Sequence, residues 1–207
     1  MFKRSWIILL SLLLTAFSAA ALETPNSRQA RKIFDQAYQQ VFGSQGATLH
    51  YAVNIIGIYK TEGTIWYKGT KSCFVESRYS AWSDGHTYYR ADSKKKTVEI
   101  HNANSDKRDQ YMSKFKFDPD DFTYHIASVD EGLEITLHAK PGVKGIKHVK
   151  AILDRHTRAP KSLKIKLAFF WTTVRITHFR SGLTDDSVFI FPRSRFVGYR
   201  IIDKRPD

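Results

Sequence analysis

Eight histidines, an acidic triplet and one cysteine are the side chains in this sequence with the chemistry to hold a metal or move a proton. Histidine titrates near neutral pH and ligates transition metals. Here His50, His86, His101, His125, His138, His148, His156 and His178 are scattered, several on the polar parity of strand-like stretches. That placement reads as solvated or hydrogen-bonded histidine. Asp118, Asp120 and Asp121 supply hard oxygen ligands without the spacing of an EF-hand loop, and Pro119 among them marks a solvated turn. Cys73, between Ser72 and Phe74, reads as a small buried hydrophobe. A single cysteine can neither close an intramolecular disulfide nor seed a zinc cluster of the usual kind. The sequence carries no G-x-S-x-G elbow, P-loop, G-x-G-x-x-G or H-E-x-x-H. The expectation is a non-enzyme with no catalytic residues, no metal and no cofactor.

Charge is the other chemistry on offer. The 207 residues hold 33 Lys and Arg against 20 Asp and Glu, a formal charge of +13, which points to an anionic partner. Lys94, Lys95 and Lys96 fall between the strand-like stretches 87–91 and 97–101 and read as a charged hairpin tip, a device that also discourages edge-to-edge association. Lys140, Lys144, Lys147, Lys150, Arg155 and Arg158 form a looser basic stretch able to face anionic head groups or a partner. The compartment narrows the choice. Lys3 and Arg4 precede an apolar run from Trp6 to Ala21 that ends in Ser18, Ala19, Ala20 and Ala21, the pattern of a cleavable secretory leader. The run is shorter than the roughly 20 apolar residues that span a bilayer. We therefore expect a leader at 1–21 and a single domain at 22–207. Removing Lys3 and Arg4 leaves +11 on an exported chain, for which anionic lipid or envelope polymer is a better partner than nucleic acid. No cysteine follows the apolar run, so the chain is not expected to be acylated itself.

The elements that must position these groups read as one helix and then strands. Thr24 and Pro25 offer N-terminal capping, and Ala30, Ile33, Phe34, Ala37 and Val41 recur at helical spacing until Gly43, predicting an amphipathic helix over 27–42. Beyond it the period is two. Leu49, Tyr51, Val53 and Ile55 alternate with polar neighbours, as do Leu163, Ile165 and Leu167, and Val174 and Ile176. Each strand has one wet and one dry face, so the sheet is not sandwiched between helical layers. A mostly β, α+β fold follows: an antiparallel sheet of about ten to eleven strands, curved into an unclosed barrel over an apolar cavity. A second helical candidate, near 106–114, would serve as a short lid.

The order of leader, helix and strands resembles the periplasmic outer-membrane lipoprotein carrier family (LolA-like). The residues carrying the likeness are Glu62-Gly63-Thr64-Ile65-Trp66-Tyr67-Lys68, Trp82-Ser83-Asp84-Gly85-His86-Thr87-Tyr88-Tyr89, Phe189-Ile190-Phe191-Pro192 and Ile202-Asp203-Lys204-Arg205. They look like that family's G-x-[LI]-W strand start, S-D-G-x-T-x-[WY] hairpin, F-x-F strand and closing I-D segment, in order across nearly the whole mature chain. The resemblance implies a monomeric, helix-lidded half-barrel that shuttles acylated lipoproteins across the periplasm, from an inner-membrane ABC transporter to an outer-membrane acceptor. Moving acyl chains through water costs about 0.8 kcal/mol per exposed CH₂, so a carrier needs a dry surface. Candidates for it are Leu49, Tyr51, Val53, Ile55, Ile65, Tyr67, Phe74, Leu163, Ile165, Leu167, Val174 and Ile176, with Trp82 and Trp171 at the rim. Where the family carries an arginine implicated in lid closure and release, this chain has Gly69, flanked by Lys68 and Lys71, which become candidate rim or partner contacts. The alternative is a binding or sensor module on the same fold, recognising a glycolipid or an anionic envelope component.

Overall fold

The computed structural model describes residues 24–55, 59–105, 107–108, 117–167, 170–183 and 185–205. The expected leader lies outside them, and so does the helical candidate at 106–114 apart from residues 107 and 108. Helix α1 (Pro25–Phe42) precedes twelve strands: β1 (Ala47–Ile55), β2 (Tyr59–Lys68), β3 (Lys71–Glu76), β4 (Tyr79–Ser83), β5 (Thr87–Asp92), β6 (Thr97–Asn102), β7 (Phe122–Val129), β8 (Gly132–Ala139), β9 (His148–Leu153), β10 (Pro160–Leu167), β11 (Phe170–Ser181) and β12 (Arg200–Asp203). The helix starts where the Thr24 hydroxyl accepts the Ser27 N–H at 3.1 Å, with Pro25 in the first turn. It stops at Gly43, where a Cβ would lie 2.3 Å from the Gln39 carbonyl oxygen.

The strands form one sheet in the order β12-β6-β5-β4-β3-β2-β1-β11-β10-β9-β8-β7. Every neighbouring pair is antiparallel except β12, which runs parallel to β6. The edges β7 and β12 do not meet, so the curved barrel stays open. The strand beyond the expected ten to eleven is explained by β12, whose Arg-Ile-Ile-Asp has no period-two alternation to announce it. Edge β7 is blunted by Asn26: its side chain accepts the Ile126 N–H at 3.0 Å and donates to the Ile126 carbonyl at 2.9 Å, as a strand residue would.

Register assigns each side chain to one of two faces. On the front face, β7 to β10 contribute Tyr124, Leu137, Val149 and Ile165 in one cross-strand row, and Ala30, Ile33 and Ala37 of α1 pack over them. On the back face, Trp66, Cys73, Trp82 and Tyr89 form a row across β2 to β5, covered by the segment that follows β11. That segment makes two 3-10 turns, Ser187–Phe189 and Arg193–Phe196, and buries Phe189 against Cys73, Trp82, Ala91 and Val98. Phe191 stacks on Tyr89 at 4.5 Å between centroids and meets the Trp82 ring edge-on. The sheet is thus dry in front at β7 to β10 and dry behind at β3 to β6. The front of β4 to β6 is polar. There, burial alone would raise the Glu99 carboxyl, but the Lys204 ammonium at 2.9 Å and the Arg90 charge hold it below the usual carboxylate range.

Candidate functional site

Ten of the twelve apolar candidates share the front face by register, and the side chains of the other two, Ile55 and Leu167, lie outside the described residues. The ten divide by what covers them. Leu163 and Ile165 pack against the α1 core. Leu49, Ile65, Tyr67 and Ile176 pack with Val41 and Ala47 where the end of α1 meets β1 and β2. The Phe42 and Tyr67 rings lie 4.7 Å apart there, and burial pushes the Tyr67 hydroxyl up to about 12. Tyr51, Val53, Phe74 and Val174 belong to none of the cores and are half-buried. Val53 pairs with Val174, Tyr51 with Ile176, and Phe74 with Ile65, so these four form a short apolar strip from β3 to β11, between the α1 core and the polar front of β4 to β6.

Past Val53 the sheet ends in an open cleft of about 780 Å³, lined by Val53 and Thr61 of the front face but mostly by back-face residues, Ala52, Glu62, Thr173 and Arg175 among them. That volume falls within the roughly 300–1,000 Å³ of small-ligand sites. Trp171 is 43% exposed and stands at this cleft, but on the back face, opposite Lys166 in register. Trp82 stands at no rim. It lies on the back face, 5% exposed beneath Phe191 and Phe196, because the C-terminal segment returns to cover it. The structure corrects Trp82 from rim to core.

Gly63 is the functional-site residue whose purpose the sequence left unstated. It sits between Tyr51 and Glu76 in register, and the Tyr51 hydroxyl crosses it to reach the Glu76 carboxylate at 2.5 Å. A Cβ at Gly63 would lie 2.7 Å from the Val75 carbonyl oxygen and 3.0 Å from the Tyr51 hydroxyl. Glycine is required here by the close approach. Gly63→Ala is expected to cost about 1–3 kcal/mol through overpacking, read as a lower urea midpoint.

No protein-family model matches the chain, and no curated protein matches it in sequence. Solved structures do match it. An uncharacterised conserved protein from Thermus thermophilus superposes with a TM-score of 0.60 at 7% identity, over 85% of this chain and 99% of that one. A domain named for outer-membrane lipoprotein sorting, from Vibrio parahaemolyticus, gives 0.42 at 8% identity over 83% and 99%. A LolA-superfamily protein from Nitrosomonas europaea gives 0.38 at 8% identity over 79% and 98%. The structural neighbours include LolA-superfamily proteins. At such identities the likeness is one of fold, and function has to be argued from the site.

On this sheet the two lysines beside Gly69 are already engaged. Lys68 and Lys71 reach the same carboxylate, Asp186, at 2.6 and 2.7 Å, which ties the β2–β3 hairpin to the start of the C-terminal cover. They act as a clamp and not as free rim cations. Gly69 has φ +57° and open space around its Cβ position, so backbone strain and not crowding disfavours a larger residue there. Hydrogen bonds from Lys68 and Lys71 hold the Asp186 carboxyl below its ordinary value. A depressed carboxyl stabilises the fold above its unfolded pKa, and that contribution is lost as pH falls through the lower, folded value. Acidification below about pH 4 should therefore lower amide protection factors, taken against the intrinsic rate at each pH, in 187–199 before it does so in α1, and Asp186→Asn should produce the same order at neutral pH.

The remaining chemical candidates resolve into local roles. Asp118 caps the turn Pro119–Asp121 and Asp120 pairs with Arg31 at 2.7 Å. His50, His125, His138, His148 and His178 lie on the back face, where His138 and His148 share a 2.8 Å contact. Burial pushes the Cys73 thiol up to about 12, which leaves it a packing residue. Among the described residues, no three of His, Cys, Asp and Glu converge as a metal site would require.

Proposed function

We propose that the protein is an exported, non-enzymatic carrier that shields acyl chains on the front of its open sheet during transfer between membranes. The observation that carries this reading is the strip of Tyr51, Val53, Phe74 and Val174, half-buried on the front face and claimed by no core. An ordinary core would have closed over these side chains; a carrier must leave such a surface accessible, because cargo has to be released as well as held. The leader pattern and basic charge support cargo in an envelope, and the ordered motif resemblance favours acylated lipoprotein over other lipids. In this reading residues 1–21 are removed, 22–207 act as one monomeric unit in the periplasm, and an inner-membrane transporter and an outer-membrane acceptor are its partners. Among the described residues, no helix is long and apolar enough to cross a membrane.

Native mass spectrometry of protein isolated from its own envelope is the direct test. A bound acylated protein supports the carrier. A bound glycolipid moves the assignment to the sensor reading, and consistently empty protein that transfers no acylated cargo between vesicles would sink both.

A further inference from the structure

The lysine run 94–96 acquires neighbours in the fold that its place in the sequence does not suggest. The turn between β5 and β6 is set by Asp92, whose carboxylate accepts the backbone N–H groups of Lys94 and Lys95 at 3.0 Å, and Lys96 adopts a left-handed φ of 49°. This geometry leaves all three lysine side chains exposed. The turn between β3 and β4 lies alongside: Ser93 donates from its backbone N–H and its hydroxyl to the Arg78 carbonyl, both at 3.0 Å. On the other side, the Arg200 N–H donates to the Lys96 carbonyl at 2.9 Å where β12 begins. Val197, three residues earlier, is 84% exposed, although Phe196 beside it is packed into the back-face core.

Five cations from three segments, Arg78, Lys94, Lys95, Lys96 and Arg200, thus gather at one end of the sheet around a projecting valine. The acidic side chains bonded into this end are Asp92, which is buried, is bonded to the turn backbone and pairs with Arg78 at 3.6 Å, and the half-buried Glu76, which accepts from the Tyr51 hydroxyl. None of the five lines the open cleft, and all five are exposed, so they suit a plane of negative charge better than a single bound anion. The apolar projection adds what a soluble polyanion would not use.

We infer that this end of the sheet docks on the anionic head groups of a lipid bilayer, with Val197 entering the interface. Each Lys or Arg near an anionic membrane contributes on the order of 1 kcal/mol, and the attraction falls with salt. The same end carries the mouth of the cleft at Val53, Trp171 and Ser77, next to Arg78. Docking here would present the front-face strip to the bilayer, yet the inference stands on the cation cluster alone.

Sedimentation of the purified protein with vesicles of phosphatidylcholine containing phosphatidylglycerol, against phosphatidylcholine alone, tests it. Binding is expected to the anionic vesicles, to weaken with salt, to fall on the order of a hundredfold in Lys94→Glu/Lys95→Glu/Lys96→Glu, and to weaken in Val197→Asp. Both variants alter exposed side chains and should unfold at the wild-type temperature. Lys164→Glu/Lys166→Glu, on the back face of β10, should bind as wild type does. Absence of binding to anionic vesicles, unchanged binding in the lysine variant, or loss confined to the β10 variant would each overturn the inference.

Discussion

Phe189→Ala is expected to cost about 3–5 kcal/mol, the range for deleting a buried aromatic ring, and to release one face of the sheet while leaving the other protected. Phe189 is 2% exposed and is the residue of the C-terminal cover that packs deepest, against Cys73, Trp82, Ala91 and Val98. Its loss removes the hydrophobic anchor between the Asp186 clamp and the Phe191–Tyr89 stack. A domain of this size has about 5–15 kcal/mol to spend, so the deficit is a large fraction of the total. The damage should be unequal because the two main cores lie on opposite faces. Opening 187–203 uncovers Cys73, whose thiol then recovers an ordinary pKa and reacts with a disulfide reagent at neutral pH. Amides of α1 and β7 to β9 should keep their protection, since the core that Ala30, Ile33 and Ala37 join includes, among the described residues, none of the C-terminal segment. Uniform loss of protection across both halves, or a Cys73 as unreactive as in wild type, would contradict two separable cores. Val197→Ala, at 84% exposure, serves as the neutral control.

The same division into two faces explains which parts of the architecture could be read beforehand. Alternation in β10 and β11 is strict, so Leu163, Ile165, Val174 and Ile176 declared their common side. The helix was equally plain, since Thr24, Pro25 and Gly43 mark its ends and four buried residues mark its face. Alternation says that one side of a strand is dry, but not which side of the shared sheet that is. From β3 to β6 the dry parity of Cys73, Trp82, Ala91 and Val98 faces backward. Only the return of Phe189, Phe191 and Phe196, about a hundred residues further on for most of these partners, makes that side a core. Trp82 was misplaced for this reason, and the pairing of Lys68 and Lys71 was out of reach too, because Asp186 is 118 and 115 residues away from them. Gly63 did stand in a noticed motif. The reason for it, a tyrosine crossing from β1 to a glutamate on β3, exists only once three strands are paired.

Val53→Asp combined with Val174→Asp should abolish acyl-chain binding, with a loss beyond a hundredfold, while leaving the protein folded. The two valines face each other across β1 and β11 and are half-buried, so in the empty protein water can hydrate the introduced carboxylates. A bound acyl chain would displace that water. An ionised carboxylate stripped of water without a partner costs several kcal/mol in practice and shifts its pKa to avoid the charge, far more than the roughly 0.8 kcal/mol gained from one buried CH₂. The penalty appears only on binding, which separates it from a folding defect. It also carries a pH signature. Occupancy raises the pKa of each introduced carboxyl, so binding should recover as pH falls toward that raised value. Lysophosphatidylcholine is a suitable probe because its head group stays zwitterionic through the range. Val53→Leu with Val174→Leu keeps the strip apolar and should bind within a few fold of wild type. Wild-type affinity in the aspartate variant at neutral pH would remove this strip from the carrier's surface, and a loss that acid does not reverse would assign the effect to altered packing instead of an apolar ligand.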